Sequence, residues 1–303
     1  MRVTLGMTND NIKANLTGAT SRLLEAQDQA SSGKRIDRPS DDVAGIGKSL
    51  SLRSTISSIE QYEENSTMAN SQLSTVSNTL SSITKTLQSV RSLASQAANS
   101  TLNDEALASI KCQLEGISDE LKGYANTQYL NKYIFAGSKT TTSPVAETGG
   151  TPAYEYQGNN EQIKVQTAPG AYTTVNVTGD LVFNMGGAAV SDAPDIFTMM
   201  DSLISAVDSG DISSISAQLA DIDANLNNIT GINTQVGARI KRLESNIEAL
   251  GTSKDTMKSM LSDVEDVDLA EAAINLATLQ NCYEVALSVA SSVLKTSLAD
   301  FLS

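Results

Sequence analysis

Apolar residues recur at alternating intervals of three and four from Leu52 to Ala97, and this stretch organises the rest of the chain. Only two positions in the pattern, Thr55 and Ser66, are polar. A mean period of 3.5 residues sustained over this length is typical of a helix that packs along a supercoiled seam. The pattern therefore predicts one long helix, and its core seam includes Leu73, Val76, Leu80, Ile83, Leu87 and Val90.

The same spacing returns in the second half of the chain. A shorter run from Leu107 to Tyr124 predicts a helix that returns antiparallel to the first. A second long helix is predicted from about Ile212, with a Gly-Ile-Asn interruption near Gly231, and from Val236 its seam is regular. The core seam of this helix includes Ile240, Leu243, Ile247 and Leu250.

Each end of the chain carries one amphipathic helix, set off from the long helices by a break at residues 32–39 or 263–268. The first is predicted from Asn9 to Ser31, and the last begins at Asp268 as N-cap. Residues 1–40 carry a net charge of +2 and residues 260–303 a net charge of −6, which favours antiparallel pairing of the two ends. We predict that their apolar faces form an assembly interface that comprises Ile12, Leu16, Leu23, Leu276, Tyr283, Leu287, Leu294, Leu298 and Phe301.

The residue pattern changes between Tyr133 and Pro194. Four of the five prolines lie there, and apolar residues alternate with polar ones. Short strands are predicted at residues 153–156, 162–166, 174–177 and 181–183. Helix is expected to resume from about Asp195 to Val207 and to break at Gly210.

Together these patterns predict a mainly α fold: an elongated, coiled-coil-like helical bundle built from both chain ends, with a small β-rich inserted domain. The predicted division is a terminal assembly helix at each end, two parts of the core bundle and an outer β-rich domain. In chain order these are residues 1–40, 41–132, 133–194, 195–262 and 263–303.

Composition narrows the function. The chain has no His and no Trp, so zinc-hydrolase motifs and Ser-His or Cys-His catalysis are excluded. Residues 221–225 begin like a calcium loop, but Leu226 stands where the sharp turn needs Gly, and a solvated helix face explains the carboxylates. We predict no enzyme activity, no cofactor and no bound metal.

The net charge of −14 argues against nucleic acid and anionic membranes as partners, because both need a cationic surface. The first fifteen residues do not resemble an ordinary secretory signal, so we expect that export would use another route. Cys112 and Cys282 both fall within helical patterns and are predicted to be buried or half-buried free thiols.

The breaks between helices carry sequences that resemble the bacterial flagellin superfamily. The segment from residue 31 to 36 reads Ser-Ser-Gly-Lys-Arg-Ile, acidic residues and an Ala-Gly pair follow it, and Ser40 is a candidate N-cap. The helix around residue 91 and the segments after residues 237 and 265 match the same superfamily in order. The signature residues are Ser31, Ser32, Gly33, Arg35, Ile36, Asp41, Asp42, Ala44, Gly45, Arg91, Arg242 and Glu244.

Two further stretches, Tyr133 to Gly137 and Thr296 to Leu302, resemble the hook-filament junction members of that superfamily more than filament flagellins. The resemblance implies a structural adaptor that is exported by the flagellar type III apparatus and located outside the cell, between hook and filament. It also implies partners: the adjacent hook-associated protein, flagellin, copies of itself and an export chaperone. The alternatives are a filament flagellin and, in another class, a secreted coiled-coil effector or adhesin.

Overall fold

The computed structural model describes residues 5–99, 103–148, 154–185 and 194–302, except for the side chains of residues 5, 6, 8 and 293–302. Seven helices and six short strands occur in this part of the chain. In order they are α1 (Leu5–Ser32), α2 (Val43–Ala97), α3 (Asp104–Ala125), β1 (Gln128–Tyr129), β2 (Lys132–Tyr133), β3 (Val145–Glu147), β4 (Tyr154–Tyr156), β5 (Lys164–Ala168), β6 (Ala171–Thr174), α4 (Gly179–Phe183), α5 (Ile196–Ser209), α6 (Ile212–Glu265) and α7 (Leu269–Leu302).

The chain divides into two compact units. The terminal unit comprises residues 1–58 and 253–303, and the central unit comprises residues 59–252. Helices α2 and α6 each contribute one part to the terminal unit and the other to the central unit. The predicted fold class, mainly α with a small β-rich insertion, is confirmed.

Burial in the central unit follows the predicted periodicity. On α2, all the predicted seam residues from Leu73 to Val90 are fully buried. On α6, Ile215, Ile222, Ile229, Val236 and Leu243 recur at intervals of seven residues, and each is at most 1% exposed. Helices α3 and α5 complete this core. A heptad spacing of buried side chains is what a seam between long helices requires.

The predicted interruption near Gly231 is wrong, because α6 continues without a break. Gly231 lies on an exposed face, so the seam does not depend on it. Asn233 is a polar residue at a position of the heptad repeat, so it interrupts the apolar pattern without ending the helix. Its amide nitrogen donates to Ser81 Oγ at 3.2 Å, and its amide oxygen accepts from Ser77 Oγ at 2.8 Å. A paired polar residue at a seam position fixes register between helices.

The β-rich part consists of three antiparallel two-stranded hairpins, β1-β2, β3-β4 and β5-β6. A cluster of aromatic rings lies beside them, with centroid distances of 5.5 Å between Phe135 and Phe183 and 5.8 Å between Phe183 and Phe197. The strand predicted at residues 181–183 is wrong, since these residues form the end of α4. The strand predicted at 174–177 ends at Thr174 and begins earlier, at Ala171.

Several local predictions concern helix ends. Gly33 follows α1 with φ of +70°, and Gly210 follows α5 with φ of +67°, so both breaks fall where predicted. Asp268 caps α7, because its Oδ1 accepts from the backbone N–H of Ala270 at 2.8 Å. The predicted cap Ser40 is wrong, since Asp42 Oδ1 accepts from the N–H groups of Ala44 and Gly45 instead.

The prediction for the two cysteines is half right. Cys112 and Cys282 are both free thiols, but both are exposed. Each lies on the outward side of its helix, α3 or α7, because neighbouring positions face the partner helix. Within the described ranges, no three potential metal-ligating side chains come together and no helix is long and apolar enough to cross a membrane.

Candidate assembly interface

Helices α1 and α7 pack against each other in the terminal unit, and they run antiparallel as predicted. Near their hinge ends, Lys34 and Asp266 form an antiparallel backbone bridge. Further along, Ile12 and Leu16 of α1 line the same small cavity as Val289 and Ala290 of α7. The backbone bridge and the cavity are separated by about the same distance along α1 as along α7. The chain passes them in opposite order on the two helices, so α1 and α7 are antiparallel.

The buried side chains of this helix pair are small. Among the described side chains of α1 and α7, the buried ones are Ala26, Ala272 and Ala290. The larger predicted interface residues are only half-buried. They are Ile12, Leu16 and Leu23 of α1 and Leu276 and Tyr283 of α7. The pair therefore holds much less apolar area out of water than the central unit does.

Helix α7 also presents apolar residues that α1 leaves more than half exposed; one of them, Val289, lies at the edge of this set and also lines the cavity between the two helices. Ile274, Val285 and Val289 are 69%, 63% and 54% exposed. At 100° per residue they lie within about 60° of one another on the helix. They lie roughly opposite the face that carries Ala272, Leu276 and Ala290. We call Ile274, Val285 and Val289 the outer stripe of α7.

The remaining predicted interface residues are also on α7. Leu287 is 43% exposed, so α1 does not cover it fully. The backbone of α7 extends through the last three predicted positions as regular helix. The side chains at those positions lie outside the described residues; they are Leu294, Leu298 and Phe301.

A cluster around Glu265 holds the hinge between α1 and α2 against the hinge between α6 and α7. The Glu265 carboxylate is 5% exposed and accepts two hydrogen bonds from Arg53, from Nε at 2.9 Å and from Nη2 at 2.5 Å. Ser49 Oγ donates to the same carboxylate, and Lys34 Nζ lies 3.8 Å from it. A buried carboxylate is stable when a guanidinium binds both of its oxygens and further donors complete its hydrogen bonds, as they do here.

Backbone groups join the same two hinges. The N–H of Arg35 donates to the carbonyl of Glu265 at 2.6 Å, and the N–H of Val267 donates to the carbonyl of Gly33 at 3.0 Å. The Arg35 guanidinium reaches the carbonyl of Val264 at 3.0 Å. Gly33 can take its positive φ without strain, which turns the chain out of α1 at this point.

These contacts shift the protonation of Glu265. The hydrogen bonds and charge of Arg53, helped by Ser49 and Lys34, lower the pKa of Glu265 from 4.5 to about 2, although burial acts in the opposite direction. The pKa of Arg53 is raised by the same pair. Glu265 is therefore an anion at neutral pH.

The predicted signature residues fall into two groups. One group surrounds the hinges: Asp41 Oδ2 accepts from the N–H of Arg38 at 2.8 Å, and Ile36 is 3% exposed. Gly45 packs so closely that a Cβ there would lie 2.4 Å from both Ile36 and Asp42. Ser31, Ser32 and Ala44 lie beside them at the helix ends, and all three are exposed.

The other group lies on the central helices, where Arg91 Nε is 2.6 Å from Asp223 Oδ1. Arg242 and Glu244 are exposed on α6, and Glu244 pairs with Lys241 at 2.8 Å. The three remaining α6 seam residues, Ile240, Ile247 and Leu250, are half-buried, and Leu243 is 1% exposed.

Sequence reasoning missed the residues that hold the Glu265 cluster together. Ser49 and Arg53 lie near the start of α2 at positions outside the apolar seam, so their spacing carried no signal. Glu265 falls in the predicted break at residues 263–268. One clue was available: Glu265 interrupts an otherwise regular apolar pattern.

Two family models match the chain. The N-terminal helical region of bacterial flagellin matches residues 4–140, and the C-terminal helical region matches residues 219–302. Together they span most of the chain, including α1, α2, α3, α7 and nearly all of α6. The chain therefore belongs to the bacterial flagellin superfamily.

Within that superfamily the chain is similar to hook-associated proteins. It is 29% identical to flagellar hook-associated protein 3 of Escherichia coli over 88% of this chain and 89% of that one. The corresponding protein of Salmonella typhimurium is 27% identical, over 94% of this chain and 95% of its own length. Flagellin of Bacillus subtilis is also 27% identical, over 89% of each chain.

Solved structures show the same fold. A Vibrio parahaemolyticus protein described as hook-associated superimposes with a TM-score of 0.68 at 25% identity, over 75% of this chain and 100% of that one. The flagellar junction protein of Legionella pneumophila superimposes with a TM-score of 0.60 at 18% identity, over 72% of this chain and 99% of its own.

Proposed function

We propose that this protein is a structural adaptor of the bacterial flagellum that joins the hook to the filament. The superfamily is one of structural flagellar proteins, and the hook-associated relatives match over nearly their whole length. We further propose that it works outside the cell, at the hook-filament junction, after export through the flagellar type III apparatus. Its proposed partners are the adjacent hook-associated protein, flagellin and further copies of itself, with a chaperone before export.

The observation that carries this proposal is the outer stripe of α7. Val285 and Val289 are more than half exposed although α7 is already paired with α1. Each such side chain gains about 1.5–3 kcal/mol when it is fully buried. In a ring of identical subunits this gain repeats at every contact, so a modest stripe stabilises an assembly.

Removal of residues 292–303 tests the adaptor role. The truncated protein should be exported but should fail to restore filaments to a strain that lacks this protein, and flagellin should be shed into the medium. A secretion assay must first establish that the truncated protein still leaves the cell. Normal filaments under those conditions would overturn the role of α7 in assembly.

A pair of point variants separates the outer stripe from general damage to α7. Val285→Asp places a carboxylate on the outer stripe, and Gln280→Asp places one at an exposed position about 140° away on the same helix. Val285→Asp should reduce the number of filaments per cell severely, whereas Gln280→Asp should leave it near the wild-type value. Equal behaviour of the two variants would show that the outer stripe does not touch a neighbour.

The filament-flagellin alternative keeps some support, because the Bacillus subtilis flagellin matches about as much of the chain. Immunogold electron microscopy of intact flagella distinguishes the two functions. A junction protein labels one short zone next to the hook, and a flagellin labels the whole filament. Label along the whole filament would show that the protein is a filament flagellin.

A further inference from the structure

A polar cleft of about 540 Å³ opens in the central unit between α6 and the segment that follows β6. This volume lies within the range of small-molecule sites. Of the buried seam residues of α6, Val236 alone lines this cleft. Side chains with amide or guanidinium groups line it from both sides: Asn160, Gln162, Asn227, Asn228, Gln235 and Arg239.

Asp180 lies at the inner wall of the cleft and is 2% exposed. Its Oδ2 accepts a hydrogen bond from Asn160 Nδ2 at 2.7 Å. Its Oδ1 is buried and has no hydrogen-bond donor within the described part of the chain. A buried carboxylate oxygen without a donor is unfavourable, and such oxygens are rare in folded proteins. A ligand hydroxyl or a bridging water would satisfy Oδ1 once the side chains that cover it move aside.

The amides of the cleft retain unused hydrogen-bonding capacity. Asn228 Nδ2 donates to the carbonyl of Leu181 at 2.9 Å, which leaves its Oδ1 available. Gln162 Oε1 accepts from Thr174 at 3.4 Å, which leaves its two N–H groups. The side chains of Asn227 and Gln235 have no hydrogen bond recorded among the described residues. An amide offers donors and acceptors side by side, which matches a hydroxyl group that does the same.

The remaining wall is apolar. Ile232 is half-buried and contributes methyl groups beside the amides, whereas Val177 and Val236 line the cleft from the core and are 5% and 1% exposed. Gly231 also lines the cleft, and a Cβ built on it would meet no atom within 4 Å. Glycine is unfavourable in a helix interior, and here it leaves one position of the α6 wall without a side chain.

We propose that this cleft binds a neutral polyhydroxylated ligand, a mono- or disaccharide. The amides bind its hydroxyl groups as donors and acceptors, Arg239 adds donors, and Asp180 accepts from a hydroxyl directly or through one water. The C–H face of the sugar ring packs on the methyl groups. Anionic ligands are disfavoured because they would lie close to the carboxylate of Asp180.

The test is a titration of the purified full-length protein with glucose, galactose, mannose, N-acetylglucosamine, maltose and lactose. Saturation-transfer NMR detects binding, and calorimetry measures it. At least one sugar should bind saturably, with a dissociation constant on the order of 1 mM or below. Gly231→Phe fills the cleft and should weaken binding of that sugar at least about tenfold, a change equivalent to 1.4 kcal/mol.

Gly116→Phe is the matched control, since Gly116 is an exposed helical glycine of α3 that also has no atom within 4 Å of a Cβ. It should bind the sugar as the wild type does. Should circular dichroism show that Gly231→Phe is misfolded, the double variant Asn227→Ala/Gln235→Ala decides, since both side chains are exposed on α6. Absence of saturable binding for all six sugars, or unchanged binding in the correctly folded variants, would overturn the proposal.

Discussion

The central unit and the α1-α7 pair use the same kind of apolar pattern with different results. In the central unit, residues such as Leu80 and Leu87 are fully buried by α3, α5 and α6. Among the described side chains of the terminal pair, the buried ones are alanines, and Val285 of α7 is 63% exposed. The first pattern is satisfied within one chain, whereas the second leaves apolar side chains exposed among the described residues. Helical periodicity in the sequence therefore predicts a helix without predicting which molecule buries it.

The largest expected effect is a contrast in amide exchange between the two regions. Isolated amphipathic helices are marginal in water, whereas core helices open only with the whole domain. In dilute monomer, amides in residues 8–28 and 273–300 should exchange at least about 10³-fold faster than amides of α2 between Leu73 and Val90. Hydrogen exchange measured by mass spectrometry checks this. Protection of the terminal helices as strong as that of α2 would mean that the pair is stable without neighbours.

A charge placed in the central seam should have the next largest effect. Leu80→Asp buries an unpaired carboxylate at a fully buried position and should lower the free energy of unfolding by about 4 kcal/mol or more. Gln88→Asp adds the same charge at an exposed position of α2 and should change it by less than about 0.5 kcal/mol. Urea titration followed by circular dichroism gives both values. Similar free energies of unfolding for the two variants would contradict the placement of Leu80 in a buried seam.

The Glu265 cluster should make the hinge sensitive to acid. Its pKa of about 2 lies below the ordinary value of 4.5, so ionised Glu265 contributes stability above pH 4.5 that disappears as the pH falls towards 2. The contribution is about 3 kcal/mol by linkage. Exchange of the Arg35 and Val267 amides, which bridge the hinges, should therefore speed up between pH 4.5 and 2 beyond the intrinsic pH dependence.

Glu265→Gln removes the titrating group and is the control for this acid effect. The variant should show weaker protection of the same two amides at pH 6, because Arg53 then lacks its anionic partner. Its protection should also no longer fall between pH 4.5 and 2. An acid response of the same size in Glu265→Gln would assign the effect to other carboxyl groups.

Sequence reasoning recovered the helices because each long helix repeats its apolar pattern many times. It failed where a single residue decides the outcome. Leu181 to Phe183 look like a strand by composition, but α4 brings Phe183 to Phe135 and Phe197, which are distant in sequence. Such tertiary contacts override local propensity.

The same limit applies to the candidate interface. The stripe from Ile12 to Leu23 could be predicted because one helix face carries it. Arg53 and Glu265 could not be paired from the sequence, since 212 positions separate them and no periodic pattern links the two. The exposure of Cys112 and Cys282 likewise depends on which helix face finds a partner, and the apolar pattern alone did not resolve that.

The smallest expected effect concerns Gly231, where the predicted break and the observed helix disagree. In a continuous helix, Gly231→Ala should stabilise the central unit by about 0.5–1 kcal/mol, because alanine loses less backbone entropy and its Cβ meets no other atom. Gly251→Ala is the matched variant, since Gly251 lies in the same helix with the same open space and was never predicted to break it. Thermal unfolding should show similar increases in the melting temperature for both variants.

If the chain instead bends at Gly231 in solution, with a backbone conformation that only glycine adopts, Gly231→Ala would destabilise the protein while Gly251→Ala still stabilised it. That outcome would restore the break and divide the α6 seam at the point where Asn233 now pairs with Ser77 and Ser81.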